Sequence, residues 1–215
     1  MLTNESKLQI RTILIGLMVL ISVFEIKTPF HFLILNTFLA YIPIELGFTL
    51  KKIKSQKSNL FWPVLIIWAL FYPNAPYVLT DLFHLSLLKP YNTSRLIKLS
   101  FPLWTNYTFL VISALAFFIL GLVNLLQIAK EITSKVKAKQ VAFIKPIISF
   151  LLMLLASIGV FIGRFLRIHS VYLLISPHLF IRPIANMWNL RMAGFVILMT
   201  GIQLFVWWLI KIIRN

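Results

Sequence analysis

Six apolar runs, each about 20 residues long, alternate with short polar segments along the chain. They span about 8–26, 30–50, 60–79, 102–128, 142–166 and 192–213. Each run is long enough to cross a membrane as a helix, and none alternates with the period of two expected of a barrel strand. Since backbone groups in lipid must be satisfied internally, the pattern predicts an all-α, polytopic integral membrane helical bundle. We expect one domain covering residues 1–215.

The third run is interrupted by the sequence Pro73-Asn74-Ala75-Pro76. Proline removes a backbone donor and disfavours helical angles in the residue before it. The pattern therefore predicts that the third transmembrane helix breaks at Pro73 and Pro76. A short helix should restart at about Thr80, with Thr80 as its N-cap and Asp81 in its first turn. Asp81 and His84 would then share one face of that helix.

Composition supports the membrane class. The 215 residues are 60% hydrophobic and 12% charged, with a mean hydropathy of +0.93, whereas soluble domains carry about 25% charged residues. The net charge of +16 does not indicate nucleic-acid binding, because the basic residues cluster in short loops and no nucleic-acid motif accompanies them. The chain has no cysteine, which excludes disulfides and thiolate chemistry. We predict no cofactor and no bound metal.

The basic residues also predict the orientation. With the N-terminus inside, 13 of the 21 Lys and Arg residues face the cytoplasm and 8 face outward. The positive-inside rule then places both termini in the cytoplasm of a multi-pass protein of the plasma membrane. The first apolar run has no small-x-small cleavage site after it, so we interpret it as an uncleaved transmembrane helix. The segment "SVYLLISPHLFIRPIANMW" is expected to lie in the outer interface.

A second polar group falls at the predicted outer face, where the fifth run ends in "GVFIGRFLRIHS". Gly159 and Gly163 permit the close approach of a neighbouring helix, and Arg164 and Arg167 are three residues apart. Asp81 is the chain's only aspartate, and a desolvated carboxylate requires a partner, which Arg164 or Arg167 would supply. The simpler alternative is a helix cap and two arginines that extend to the headgroups.

These observations yield a set of candidate site residues. Asp81 and His84 are the candidate catalytic pair, and a metal held by both together with His169 is a weaker alternative. Five further residues of the same predicted outer region are candidates for substrate binding, namely Asn36, Asn74, Tyr77, Arg164 and Arg167.

The blocks "LNTFLAYIPI", "FYPNAPYVLTDLFHL" and "GVFIGRFLRIHS" resemble the recurring blocks of an uncharacterised family of bacterial polytopic membrane proteins. The family is known as a domain of unknown function, and the resemblance extends from Asn36 to about Ser170. It implies a bacterial integral membrane protein and assigns no activity.

Three functions fit the sequence. The first is a membrane-embedded enzyme whose polar site faces the outer leaflet and acts on a lipid or a lipid-linked anionic envelope substrate. The second is a small transporter or channel, since broken helices and intramembrane charges mark such sites. The third is a non-catalytic accessory or assembly subunit. The expected partners are membrane lipids and either further copies of the chain or another subunit of a membrane complex, and not nucleic acid.

Overall fold

The computed structural model describes residues 3–24, 30–55, 59–135, 141–167 and 181–213. Within these ranges the chain is helical and forms no strand, although Tyr91 and Ile97 make an isolated bridge in a loop. The helices are α1 (Asn4–Phe24), α2 (Phe32–Ser55), α3 (Phe61–Phe71), α4 (Asn74–Thr80), a 3₁₀ helix (Asp81–Leu88), α5 (Phe101–Lys135), α6 (Val141–Phe161), a π-helical turn (Ile162–Leu166), α7 (Ile181–Asn186) and α8 (Leu190–Ile213).

Among the described residues, six helical segments are long and apolar enough to cross a membrane. They are Asn4–Phe24, Phe32–Ile53, Phe61–Leu88, Phe101–Lys135, Phe143–Leu166 and Leu190–Ile213. The predicted all-α bundle with six spans is therefore confirmed. Residues 168–180 lie outside the described residues. They include His169 and most of the segment that was predicted to lie in the outer interface.

Helix α5 packs against α2, α4 and α6 and so lies at the centre of the bundle. Its 35 residues correspond to about 52 Å at the usual helical rise, against about 30 Å for the hydrocarbon core. Phe117, Leu122 and Leu125 of this helix are fully buried. A Cβ on Gly121 would lie 2.6 Å from Cβ of Ala75, so the glycine allows α4 to pack directly on α5.

The third span is interrupted at Tyr72 and Pro73, and the predicted break near Pro73 is confirmed. The predicted break at Pro76 is wrong, because the helix restarts at Asn74 and Pro76 lies within α4. The predicted short helix after Thr80 is present as the 3₁₀ helix, which begins at Asp81 with Thr80 at the N-cap position. Proline is tolerated in a first helical turn, where the amide would have no intrahelical partner. Thr80 ends α4 and makes no side-chain cap bond; its hydroxyl donates to the carbonyl of Tyr77 at 2.7 Å.

The chain tightens into the 3₁₀ helix at Asp81, which leaves Asp81 and His84 three residues apart on one face. On the neighbouring span, α6 widens into the π-helical turn and ends at Arg167, whose φ of 55° is left-handed. A Cβ on Gly159 would overlap the ring of Pro73. The glycine therefore lets α6 pack against the interrupted span at the point where the site residues begin.

Candidate functional site

Asp81 lies at the centre of the polar cluster, and its side chain is only 1% exposed. The Asn36 amide on α2 donates to Asp81 Oδ2 at 2.8 Å. On the other side, Arg164 Nη1 lies 3.3 Å from Asp81 Oδ1. Both carboxylate oxygens thus have a partner, as a charge buried in a membrane protein requires. Three spans meet at this one carboxylate.

The Arg164 guanidinium contacts the interrupted span at several points. Nη2 donates to the carbonyl of Thr80 at 3.0 Å, and Nη1 donates to the hydroxyl of Tyr77 at 3.3 Å. The guanidinium carbon also lies 5.6 Å from the centre of the Tyr77 ring, within the range of a cation–π interaction. A Cβ on Gly163 would lie 3.3 Å from the same ring. Both terminal nitrogens and the central carbon of the guanidinium therefore connect the π-helical turn after α6 to α4.

His84 is held by two contacts. Its Nδ1 lies 3.0 Å from the carbonyl oxygen of Asp81 and 3.5 Å from Arg164 Nη2. A carbonyl only accepts and a guanidinium only donates, so the shorter contact favours a proton on Nδ1. The 3.5 Å separation from Arg164 Nη2 is then a contact between two donors and not a hydrogen bond. Nε2 is then the basic nitrogen of a neutral ring. The ring of Phe32 packs against the imidazole with a centroid separation of 4.0 Å and an interplanar angle of 31°.

An open cavity of about 500 Å³ lies beside this cluster. Arg164, Arg167 and His84 line one part of it, and Phe32 and Leu35 contribute apolar surface from α2. The exposed side chain of Arg167 reaches it from the end of the π-helical turn. We call this cavity the arginine cleft. It combines cationic and apolar walls, an arrangement that suits a molecule with an anionic and an apolar part.

A family model described as "Protein of unknown function (DUF1361)" matches residues 35–206. The chain belongs to the DUF1361 family. The resemblance to a family of unknown function is thereby confirmed, and the DUF1361 match includes the residues that line the arginine cleft, except Phe32. Comparisons with curated proteins and with solved structures found no match.

Six of the seven candidate residues converge at the arginine cleft of this DUF1361 protein, namely Asn36, Tyr77, Asp81, His84, Arg164 and Arg167. The structure also identifies Arg164 as the partner of Asp81, a choice that the sequence left open. Asn74 lies elsewhere, because its side-chain amide donates to the carbonyl of Phe71 at 2.9 Å. It thereby satisfies the end of α3 where Pro73 interrupts the helix.

Two contributors to the site were missed in the sequence, Phe32 and Leu35 of α2. Phe32 lies four residues before Asn36, and residues at that spacing share a helix face. The spacing would have indicated that Phe32 faces the same neighbours as Asn36. Within the described ranges, no three His, Asp or Glu side chains are grouped closely enough to hold a metal ion.

Proposed function

We propose that the arginine cleft binds the anionic head of a lipid or of a lipid-linked cell-envelope precursor, and that His84 promotes a reaction on it. The observation that carries the proposal is the meeting of Arg164, Arg167 and His84 in one cavity with the apolar side chains Phe32 and Leu35. In the orientation that the basic residues predict, this cavity opens at the outer leaflet of a bacterial plasma membrane.

The charges of the cleft favour an anion. Asp81 is the single carboxylate of the cluster, and it is already paired with Arg164 and hydrogen-bonded to Asn36. Arg167 adds a second cation at the exposed margin of the cavity. The site therefore retains one positive charge. Guanidinium groups bind phosphate and carboxylate oxygens in pairs, so Arg167 is suited to hold such a group beside His84.

The apolar part of the cleft favours a lipid. Leu35 is half exposed and Phe32 covers one face of the His84 ring. An acyl or isoprenoid chain could lie along these side chains of α2 while its head reached the arginines. A small soluble anion would leave this surface unused, so we favour an amphiphilic substrate.

His84 is suited to act as a general base. Its Nδ1 proton is directed to the carbonyl of Asp81 at 3.0 Å, which leaves Nε2 able to accept a proton from a water molecule or from a substrate hydroxyl. The hydroxyl of Thr80 is engaged by the backbone of Tyr77. We therefore infer that the nucleophile comes from water or substrate and not from the protein. The corresponding reaction class is hydrolysis or group transfer at a phosphoryl or acyl centre.

The test is lipid and envelope-precursor profiling in cells that lack the protein, followed by complementation. The native chain should restore the profile, whereas His84→Gln and Arg167→Gln should not. Arg191→Gln is the matched control, because Arg191 is exposed at the same end of the bundle and does not line the cleft. Immunoblotting of membranes checks that all variants accumulate equally. An unchanged profile in the deleted cells contradicts the proposal.

A non-catalytic accessory subunit is the second candidate, favoured by the complete pairing of the Asp81 carboxylate. In that case the Asp81–Arg164 contact joins the spans and has no chemical role. Deletion would then change the profile, but His84→Gln and Arg167→Gln would both restore it as well as the native chain does.

A further inference from the structure

The loop between the third and fourth spans is folded into a hairpin. Tyr91 and Ile97 pair across it, and the amide of Asn92 donates to the carbonyl of Leu96 at 2.9 Å. The amide of Leu96 in turn donates to the side-chain oxygen of Asn92, also at 2.9 Å. These reciprocal bonds close the tip of the loop. We call residues 89–100 the basic hairpin; they join the 3₁₀ helix to α5.

The basic hairpin exposes large apolar side chains. Leu99 is 98% exposed, and Leu96 and Ile97 are each more than half exposed. Phe101, the first residue of α5, follows directly and is 80% exposed. Neighbouring apolar side chains that are left outside a protein core mark a surface for a partner or a membrane. The described part of the chain leaves this apolar surface uncovered.

The same hairpin carries three cations and no carboxylate. Lys89, Arg95 and Lys98 are all exposed, and the sequence has no Asp or Glu between 82 and 100. The ammonium group of Lys98 donates to the carbonyl of Lys89 at 3.1 Å, a contact that leaves its charge uncompensated. None of the three cations forms an ion pair with a described residue. The apolar surface therefore has a positive charge of three beside it.

The position of the hairpin places it at the boundary of the membrane. The candidate spans on either side of it are Phe61–Leu88 and Phe101–Lys135, so both of its ends adjoin apolar helices. In the orientation that the basic residues predict, this is the outer face, where the positive-inside rule leads us to expect few cations. The rule therefore does not account for three cations within residues 89–100, and we looked for an anionic partner at this depth.

We propose that the basic hairpin binds the membrane surface, with Ile97 and Leu99 among the lipid headgroups and with Lys89 and Arg95 on anionic lipids. Apolar side chains are stabilised at the boundary between headgroups and acyl chains. Cations at the same depth are attracted to anionic headgroups, and the hairpin has no carboxylate that would oppose this attraction. Water also reaches the headgroups, so a thiol in the hairpin remains open to soluble reagents. None of these residues lines the arginine cleft, and the proposal does not depend on the reaction there.

The test measures the depth of the hairpin in vesicles. Because the chain has no cysteine, Leu99→Cys carries a single nitrobenzoxadiazole fluorophore on the whole protein. The labelled protein is reconstituted into dioleoylphosphatidylcholine, with and without dioleoylphosphatidylglycerol. Each vesicle also contains a phosphatidylcholine with a nitroxide near the top of its acyl chain, which quenches only a fluorophore that enters the bilayer.

Two double variants of the labelled protein test the charges. Lys89→Gln/Arg95→Gln removes two cations of the hairpin and leaves the Lys98 contact in place. Arg182→Gln/Arg191→Gln is the matched control, because it removes two exposed cations from the same end of the bundle. Single Arg95→Gln, compared with single Arg191→Gln, serves if a double variant fails to fold.

The nitroxide lipid should quench the native hairpin, and more strongly when phosphatidylglycerol is present. In those vesicles the ratio of inserted to free hairpin should fall about fivefold for each cation removed, and thus about 25-fold in Lys89→Gln/Arg95→Gln. The control should keep the native ratio. Equal quenching with and without phosphatidylglycerol, or an equal loss in both double variants, overturns the proposal. Absence of quenching in both vesicles also overturns it, and would place the hairpin in water as a surface for a protein partner.

Discussion

Asp81 and Arg164 form an ion pair that joins the third and fifth membrane spans across 83 positions of the sequence. The carboxylate is 1% exposed and the guanidinium 21% exposed, with 3.3 Å between Oδ1 and Nη1. The carboxylate end of the pair is therefore protected, whereas the guanidinium end lines the arginine cleft. This asymmetry determines how the two partners should respond to substitution.

Removal of one partner should destabilise the protein more than removal of both. Arg164→Gln leaves a buried carboxylate without its cation and should cost about 3 kcal/mol of unfolding free energy. Asp81→Asn should cost less, because the unpaired guanidinium is nearer to solvent and keeps Tyr77 and Thr80 as partners. The double variant should cost less than Arg164→Gln alone, as measured by unfolding in mixed micelles.

Arg191→Gln provides the baseline for this comparison, since it removes an exposed arginine at the same end of the bundle. Additive and small effects of Asp81→Asn and Arg164→Gln would show that the two charges are not coupled. The contact would then contribute no more than the surface pairs of soluble proteins do.

Three glycines, in α6, in the π-helical turn and in α8, offer a graded test of helix packing. Gly159→Ala would force a methyl group into the Pro73 ring and should cost about 1–3 kcal/mol. Gly163→Ala meets the edge of Tyr77 at 3.3 Å and should cost less. Gly201→Ala has open space around it and should stabilise α8 by up to about 1 kcal/mol. Equal thermal midpoints for the three variants would contradict this packing.

The six spans and the convergence of the polar residues were predictable because each follows from the cost of burial. Apolar length identifies a span. A lone aspartate in such a chain needs a cation at the same depth, and Arg164 and Arg167 end another span at the same predicted face. The choice between them depends on the π-helical turn at Ile162–Leu166. The spacing of apolar and polar residues does not distinguish such a turn from an ordinary α-helix.

The prediction for the interrupted span was wrong at Pro76, and the reason lies in the backbone hydrogen bonds. The sequence predicts that the two prolines separate two helices. Pro76 instead lies in the first turn of α4, where the amide of a residue has no intrahelical partner, so the α-helix continues through it. Asn74 was assigned to substrate binding for its position in the Asn-Ala-Pro-Tyr block. Its amide instead satisfies the carbonyl of Phe71, a need that exists only once Pro73 has interrupted α3.

The orientation predicted from the basic residues can be measured directly, because the chain contains no cysteine. Leu99→Cys, at a position that is 98% exposed, should react with an impermeant maleimide in intact cells. Lys52→Cys, exposed at the other end of the bundle, should react only after permeabilisation. The reverse pattern would place the arginine cleft at the cytoplasmic leaflet.

The contacts of Arg164 indicate a structural role, whereas the proposed role of Arg167 is to bind the substrate. Its guanidinium reaches Asp81, Thr80, Tyr77 and His84 at 3.0–3.5 Å. A lysine has one nitrogen and cannot reach the carboxylate and the Thr80 carbonyl with the same geometry, so Arg164→Lys should cost about 2 kcal/mol of stability.

Arg167→Lys is the matched substitution at the exposed margin of the same cleft, and it should leave the unfolding free energy unchanged. Arg167→Gln should be equally stable, yet it should fail to restore the lipid profile of deleted cells, since the proposed role of Arg167 is to hold the substrate's anion. Equal losses of stability for Arg164→Lys and Arg167→Lys would contradict this division. Arg167 would then be a further structural contact, and the arginine cleft would lack the free cation on which anion binding depends.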